Sequence, residues 1–467
     1  MLETAIKALE RILQNHSWVT ELAGILPLSA LIDFIDIPAK LHIFQLVGAA
    51  PLWSWPITPA GSRLLLSDDR DLQRHCYLDR YGNSVPLVAL DGRFGAEYVV
   101  ASPETIRLCI ASLPAHAIIN MHPNMKGRDL RLQELDIIHV MRSGTESSRT
   151  TRYPWLRNLF LDPWRLYSFR YLATSLVGWA TLLAAIAMSA VLQTYIALAF
   201  LVAIPFTGVV VYVLYGSTPR GLLVSTGASG TKHDRLVLVA EHLNATHWTA
   251  LYGDSILLNS LLNRPLEPRG PSVSTPTTRT LFRTVLRILI LSQWAMILAA
   301  AATKDWNSYF ICFWITFCIA VHAYVIPVRS SAADWVVGYA GVRLKRYQTS
   351  LSSRRAILNT ILALNPATPA LGSETQQPSP IGPDEGPFKW IDPILEQGPA
   401  RARWQEASRM LMEEAQSRGG KDAAYPSSRW ADEYSRDYWS PYVLEGIEVA
   451  AQIKQEANLL DEPLRVA

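Results

Sequence analysis

Hydrophobic positions fall in blocks along this chain. From Tyr171 to Tyr215 there is no Asp, Glu, Lys, Arg or His, a run of 45 residues. One helix over that run would rise roughly 65 Å, about twice the hydrocarbon thickness of a bilayer. The chain must turn back, and Gln193-Thr194 is the polar break near the middle. The pattern predicts a spanning helix over 171–192 and a second over 195–215, with Pro205 kinking the second. The arrangement repeats downstream. Residues 288–303 are uncharged, Arg283 and Arg287 precede them by about a turn, Lys304-Asp305 marks a turn, and a last apolar run closes at Pro327 and Arg329. This second pair predicts spans over 284–303 and 306–327. Trp164, Tyr167, Tyr171, Tyr212, Tyr215, Trp306, Tyr309 and Tyr324 stand at the ends, where an interfacial aromatic belt belongs.

Outside these blocks the periodicity is that of a mixed fold. Val85–Leu90, Tyr98–Ala101 and Ala117–Met121 read as strands, Ser102-Pro103-Glu104 as a helix start running to about Leu113, and Arg128–Met141 as a helix with Leu130, Leu135, Ile138 and Met141 inward. Leu222–Thr226, Leu236–Glu241 and Trp248–Tyr252 read as strands and Ser255–Asn263 as a short helix. A long juxtamembrane helix is expected over 331–365, with its body at Ala332–Leu364. A Pro/Ser/Gly-rich linker over 366–388 reads as disordered, and helices are expected near 399–417 and 441–458. Leu22–Trp55 is apolar but interrupted by Asp33, Asp36, Lys40 and His42; it fits a core better than a membrane surface. The fold class is therefore an α-helical membrane protein with four transmembrane helices in two hairpins, cytosolic mixed α/β regions and a helical C-terminal region. The expected divisions are 1–170 (mixed α/β), the two hairpins, 216–280 (a β-rich loop region packing with the first), 331–365, 366–388 and 389–467 (helical).

Charge sets the expected orientation. Arg149, Arg152, Arg157, Arg165 and Arg170 lead into the first span, eight basic residues from Arg220 to Arg287 lie between the pairs, and Arg329, Arg343, Lys345, Arg346, Arg354 and Arg355 follow the last. The hairpin turns hold only Lys304. By the positive-inside rule the central loop and both termini are cytosolic. The N-terminal pattern, with Leu2, Ile6, Leu9 and Leu13 on one helical face, lacks the apolar core of a secretory signal, which agrees with a cytosolic start. A net charge of +3 is too small for the basic stripe of a nucleic-acid binder. The four cysteines form no CxxC pair and no disulfide framework.

Candidate chemistry is sparse. His233-Asp234, Glu241-His242 and His247 cluster in the central region; acid–base work or metal binding needs such groups to converge. Their spacing fits no metal motif, and no cofactor motif is complete: Ser229-Gly-Thr-Lys232 lacks its companion motifs and Asp68-Asp69-Arg70-Asp71 is one residue short of DDxxD. The polar loop Asn120–Asp129 between apolar elements makes His122 and Arg128 candidates for a pocket. The candidate set is thus His122, Arg128, Asp234, His242 and His247. With Arg287 reaching the headgroups from the edge of the third span, His322 is the single ionisable residue expected within the bilayer, near the cytosolic end of the fourth span. The sequon Asn244-Ala-Thr246 falls on the cytosolic side and is expected to stay unmodified.

Four stretches, His242–Ser255, Asn259–Leu266, Lys304–Phe310 and Trp390–Leu395, resemble a group of uncharacterised fungal multi-pass integral membrane proteins. No catalytic residue comes with the resemblance. Some members sit in specialised-metabolite gene clusters, which implies an accessory role at an endomembrane or the plasma membrane. Two function classes follow: an accessory or scaffold protein recruiting cytosolic partners through 332–364 and 399–458, or a membrane-bound enzyme acting on a lipophilic metabolite. The lipid bilayer is the one partner both share.

Overall fold

A computed structural model describes residues 2–29, 52–54, 85–126, 131–142, 169–216, 220–222, 233–264, 266–268, 276–325, 332–333, 335–337, 340–365, 388–417 and 433–459. In chain order the helices are α1 (Leu2–Asn15), α2 (Ser17–Ser29), α3 (Pro103–Ser112), α4 (Phe169–Val191), α5 (Tyr195–Val211), α6 (Ser255–Leu262), α7 (Pro276–Thr303), α8 (Trp306–Ala320), α9 (Arg354–Leu364), α10 (Pro399–Ser417) and α11 (Glu433–Ala457). The strands are β1 (Val88–Asp91), β2 (Glu97–Val99), β3 (Ala115–Ile118), β4 (Gln133–Arg142), β5 (Arg220–Gly221), β6 (Asp234–Ala240), β7 (His247–Asp254), β8 (Glu267–Pro268) and β9 (Val342–Leu351). They sort into two units. One comprises Met1–Gly82, Thr145–Leu222 and Leu266–Gly341; the other comprises Asn83–Gly144, Leu223–Pro265 and Val342–Ala467.

The first unit is helical apart from the short antiparallel pair β5–β8. Three of its helices are long and apolar enough to cross a membrane, over Ala173–Val191, Tyr195–Leu214 and Thr280–Thr303. α8 is a shorter apolar helix of 15 residues, continued by a π-helical turn over Val321–Val325. The turns after α4 and α7 place Gln193 at φ 57° and Lys304 at φ 51°. That left-handed conformation ends a helix abruptly and lets the next one start within two or three residues. The buried side is apolar, with Leu182, Phe200, Leu201, Ile204, Ile297, Ile311, Trp314 and Ile315 at its centre. Buried polar groups pair within it: Ala197 N donates to Asn307 Oδ1 at 2.9 Å, Gln293 Nε2 to Thr207 Oγ1 at 2.8 Å and Ser308 Oγ to Ala300 O at 2.7 Å. Such pairing is required where water cannot serve as partner. Leu176, Leu183, Phe206, Ile288, Leu291, Leu298 and Phe313 face outward, an apolar surface of the kind lipid covers.

The described parts of Leu22–Trp55 also belong to this unit. α2 packs on α7 and α8, and Trp53 is buried against Gly178, Trp314, Phe317 and His322. His322 makes a 2.8 Å hydrogen bond with Ser54 Oγ, which gives this imidazole a structural task.

The second unit is built on a seven-stranded mixed sheet of order β2-β1-β6-β7-β4-β9-β3. β4 lies parallel to β7 and antiparallel to β9, while β6 and β7 form an antiparallel pair. Strands from three separate stretches of the chain therefore share one sheet. Alternate side chains divide its faces. Leu135, Ile137, Leu236, Leu238, Trp248, Ala250 and Tyr347 pack with α9, α10 and α11 in one core that also holds Trp390 and Ile391. α6 contacts β4, β6 and β7 and adds buried Leu257, Leu258, Leu261 and Leu262 to the unit. Gly446 of α11 lies directly on α9: a Cβ there would stand 2.6 Å from Asn359 Cβ and 2.8 Å from the Thr360 amide.

Two expectations are corrected here. In place of the helix expected over Arg128–Met141, residues 133–142 form the strand β4, whose Leu135–Ile138 run is buried on both faces. A central strand covered on both sides loses the period-2 signature and reads as an apolar block of either kind. The single long helix over 331–365 is instead a few residues of helix, the strand β9 and then α9. The alternation Val342-Arg-Leu-Lys-Arg-Tyr-Gln-Thr-Ser-Leu351 is a strand pattern, and Ser353 restarts the chain as a helix by accepting from Ala356 N at 3.3 Å. α9 is then buried through most of its length, from Ala356 to Leu362. Residues 366–387 lie outside the described residues, as does the strand expected over Leu222–Thr226 beyond Leu222 itself.

Candidate functional site

The described residues of the second unit hold a cavity of ≈ 1120 Å³ beside the start of β4. Five segments wall it. The loop after β3 brings Pro123 and Asn124, and the chain leading into β4 brings Arg131, Leu132 and Gln133. The β6–β7 turn brings Asn244 and Thr246; the N-terminus of α9 brings Ser352, Ser353, Arg354 and Arg355; α11 brings Tyr438, Pro441 and Tyr442.

Glu445, one helical turn beyond Pro441, fixes this assembly. Its side chain is fully buried. Oε1 accepts from Asn120 Nδ2 at 2.8 Å and Ser352 N at 2.8 Å; Oε2 accepts from Asn124 Nδ2 at 3.0 Å and Ser352 Oγ at 2.5 Å. Among the described residues four donors and no cation hold the carboxylate, so a charge that would be costly to bury alone is matched by fixed dipoles. One side chain thereby ties α11 to the β3–β4 loop and to the start of α9.

The guanidinium groups at the wall are held differently. Arg354 lies 5.3 Å from the Trp248 ring centroid and donates to the carbonyl oxygens of Leu243 and Ala245. Burial lowers its pKa below the usual guanidinium range. Arg355 sits over three aromatic rings, 4.5 Å from Tyr438, 5.6 Å from Trp439 and 5.2 Å from Tyr442. Rings and carbonyls position these cations without neutralising them. None of Arg131, Arg354 and Arg355 pairs with a carboxylate among the described residues. The positive end of the α9 dipole adds to the same wall.

The predicted candidates do not converge. His122 borders this region: its Nδ1 accepts from Asn124 N at 3.3 Å, and its own N–H donates to Asn120 Oδ1 at 3.1 Å. His242 is exposed on the β6–β7 turn. Asp234 lies at the far end of the sheet, opposite Asp254, where it accepts from Tyr252 OH at 3.4 Å. Burial, reinforced by Asp234, pushes the Tyr252 hydroxyl up to about 12. Arg128 lies outside the described residues. His247 stands on β7 beside β4, and its Nε2 is 2.9 Å from Asp136 Oδ2. The same oxygen accepts from Arg346 at 2.8 Å.

Asp136 is fully buried. Burial opposes its ionisation, but the hydrogen bonds from His247 and Arg346 more than offset this and leave its pKa below 3.8. His247 is half-exposed, and its bond to Asp136 raises it above 6.5 against a smaller opposing effect of burial. Among the described residues Asp136 is its only hydrogen-bond partner. No group of three or more His, Cys, Asp or Glu side chains suited to a metal ion occurs among the described residues.

Sequence reasoning singled out the Asn120–Asp129 loop but missed Arg131, Arg354, Arg355, Asp136 and Glu445. Ser352-Ser-Arg-Arg355 does carry the local signature of a capped helix start. Glu445 had no local signal, because its partners lie at least 93 residues away in sequence. No family model matches this chain, and no curated protein or solved structure matches it either.

Proposed function

We propose that this protein is a multi-pass membrane accessory protein whose sheet-containing unit captures an anionic ligand. The observation that carries the reading is the cavity wall, where Arg131, Arg354 and Arg355 gather around the α9 N-terminus with no carboxylate among the described residues paired to any of them. Guanidinium groups and a helix N-terminus together favour phosphate or carboxylate groups. The flanking Tyr438 and Tyr442 suit a ligand with an apolar or planar part. The four apolar helices are read as four spans in two hairpins: α8 and its π-helical continuation together supply 20 helical residues, from Trp306 to Val325. The basic residues at the helix ends remote from the turns support, by the positive-inside rule, a cytosolic position for those ends and for the C-terminal region. Recruitment of protein partners through 399–458 belongs to the same proposal, carried by the exposed Arg403, Glu406 and Arg409 of α10. A link to fungal specialised metabolism rests on the four motif stretches alone.

The accessory reading is preferred over an enzyme because the ionisable groups are scattered or committed to structural partners. His247 has an orienting carboxylate, but no nucleophile among the described residues shares a hydrogen bond with it. Full-length protein in nanodiscs tests the proposal. Inorganic pyrophosphate, or phosphatidic acid doped into the disc, should raise the thermal unfolding midpoint in a saturable way, and Arg131→Ala should weaken the effect at least fivefold. A response to pyrophosphate points to a soluble ligand, and one to the doped disc alone points to a lipid headgroup. No response to either, or an unchanged response in the variant, removes the reading.

A further inference from the structure

We infer that the N-terminal helices α1 and α2 dock at the two hairpin turns, so that α1 lies on the side of the membrane where those turns emerge, opposite the basic helix ends. Three contacts within the first unit fix α1 and α2 at the turns. Trp306 Nε1, at the first residue of α8, donates to Leu9 O at 3.1 Å. Tyr309 OH, one turn further, donates to Val19 O at 2.7 Å. Gly24 lies against the turn itself: a Cβ there would stand 3.2 Å from Lys304 Cε and 3.6 Å from Ala301 O. The α4–α5 turn is at the same end, because Ala197 N, near the start of α5, bonds Asn307 Oδ1 at 2.9 Å.

The chain then reaches the other end of the bundle. Trp53 stacks on His322 with ring centroids 6.1 Å apart, and Ser54 bonds the same imidazole at 2.8 Å. Trp306 to His322 is about 24 Å along a helix. Gly178, whose face carries the Trp53 ring, is about 20 Å below the end of α4 by the same rise. Trp53 and Ser54 therefore sit near the end of the bundle opposite the turns that hold α1 and α2.

Polarity decides on which side α1 resides. Its 14 residues include Glu3, Lys7, Glu10 and Arg11, too many charges for the hydrocarbon, so it belongs at an aqueous surface. The contact with Trp306 makes that surface the one at the turns. α2 suits the adjoining lipid: Trp18, Leu22, Ile25 and Leu28 form one stripe that faces away from α7 and α8, with Trp18 and Ile25 each 63 % exposed. This placement replaces the cytosolic N-terminus expected from the lack of a secretory signal. It is independent of the ligand proposal, which concerns the other unit.

The test is topology mapping of the full chain in sealed microsomes. One version carries a glycosylation tag ahead of Met1, and a second carries the same tag after Ala467. The expected result is a glycan-dependent mobility shift for the first tag only, with Asn244 unmodified. Glycan on the C-terminal tag and Asn244 but not on the N-terminal tag leaves the opposition intact and reverses the orientation proposed above. Tags that behave alike, both modified or both cut by added protease, overturn the inference. Docking is read separately: Gly24→Cys with Lys304→Cys should form a disulfide under mild oxidant in the membrane, and a pair that stays reduced overturns the placement of α2.

Discussion

Replacing Glu445 by Gln changes one atom and removes one charge, and the geometry dictates the outcome. The new NH2 group has two places to go. At the Oε1 position it would face Asn120 Nδ2 and Ser352 N, both donors. At the Oε2 position it faces Ser352 Oγ, which can rotate and accept, and Asn124 Nδ2, which cannot. Asn124 is unable to flip its amide without cost, because the same Nδ2 also donates to Pro441 O at 3.0 Å. The better arrangement therefore opposes two donors in a dry site, and the surviving bonds lose their charge assistance. A buried unsatisfied donor costs about 1–3 kcal/mol and each weakened charged bond about 1 kcal/mol, giving roughly 3 kcal/mol in total. For a unit of this size that corresponds to a fall of about 6–12 °C in the unfolding midpoint. Cys109 supplies the assay, since its thiol is buried within the sheet-containing unit. With Cys76, Cys312 and Cys318 replaced by Ser, thiol labelling of the full-length protein during heating reports the opening of that unit. Asn124→Ala should cost clearly less when combined with Glu445→Gln than in the natural chain, because it removes the opposed donor. An unchanged midpoint in Glu445→Gln, or strict additivity of the two substitutions, refutes this account of the site.

Three further outcomes follow from particular contacts. Gly446→Ala should destabilise the same unit by about 1–3 kcal/mol, since its methyl group meets the backbone of α9 and not a movable side chain; Cys109 labelling is again the readout. The His247–Asp136 bond should make stability depend on pH. The raised His247 contributes fully below pH 6.5, and its contribution is lost as the pH climbs through its folded value, whereas the lowered Asp136 contributes above pH 3.8 and fails as the pH falls through its own. His247→Ala should therefore lower the unfolding midpoint at pH 5.5 and flatten its decline toward pH 8.5; an unaltered slope contradicts the assignment. Gln193→Gly should stabilise the helical unit by roughly 0.5–1 kcal/mol, because φ 57° strains any residue with a Cβ; the midpoint in detergent is the check, and a decrease would sink the strain argument.

What could be read from the residues alone followed from interactions close in sequence. The uncharged run from Tyr171 to Tyr215 demands helices wherever it is placed, since each backbone group there finds its partner within one turn. α3, β6, β7, α6 and α10 appeared near their expected positions because turns, caps and alternation are likewise local. β4 and β9 did not: β4 is central and covered on both faces, and the alternation of β9 was overridden by the helical pattern that follows it. The cavity was invisible for a related reason. Asn120, Asn124, Ser352 and Glu445 meet only after strands from three stretches have been zipped into one sheet.

The amino-acid order by itself thus determined the apolar helices, their break points at Gln193 and Lys304, and the presence of a mixed α/β region. Tertiary structure alone decided which charges are shared, which end of the helix bundle holds α1, and where three arginines gather without a carboxylate partner among the described residues. The physical reason is range: hydrogen bonding within a helix and the cost of burying charge act over a few residues, whereas a carboxylate's partners are chosen by whatever the finished fold brings within about 3 Å of it.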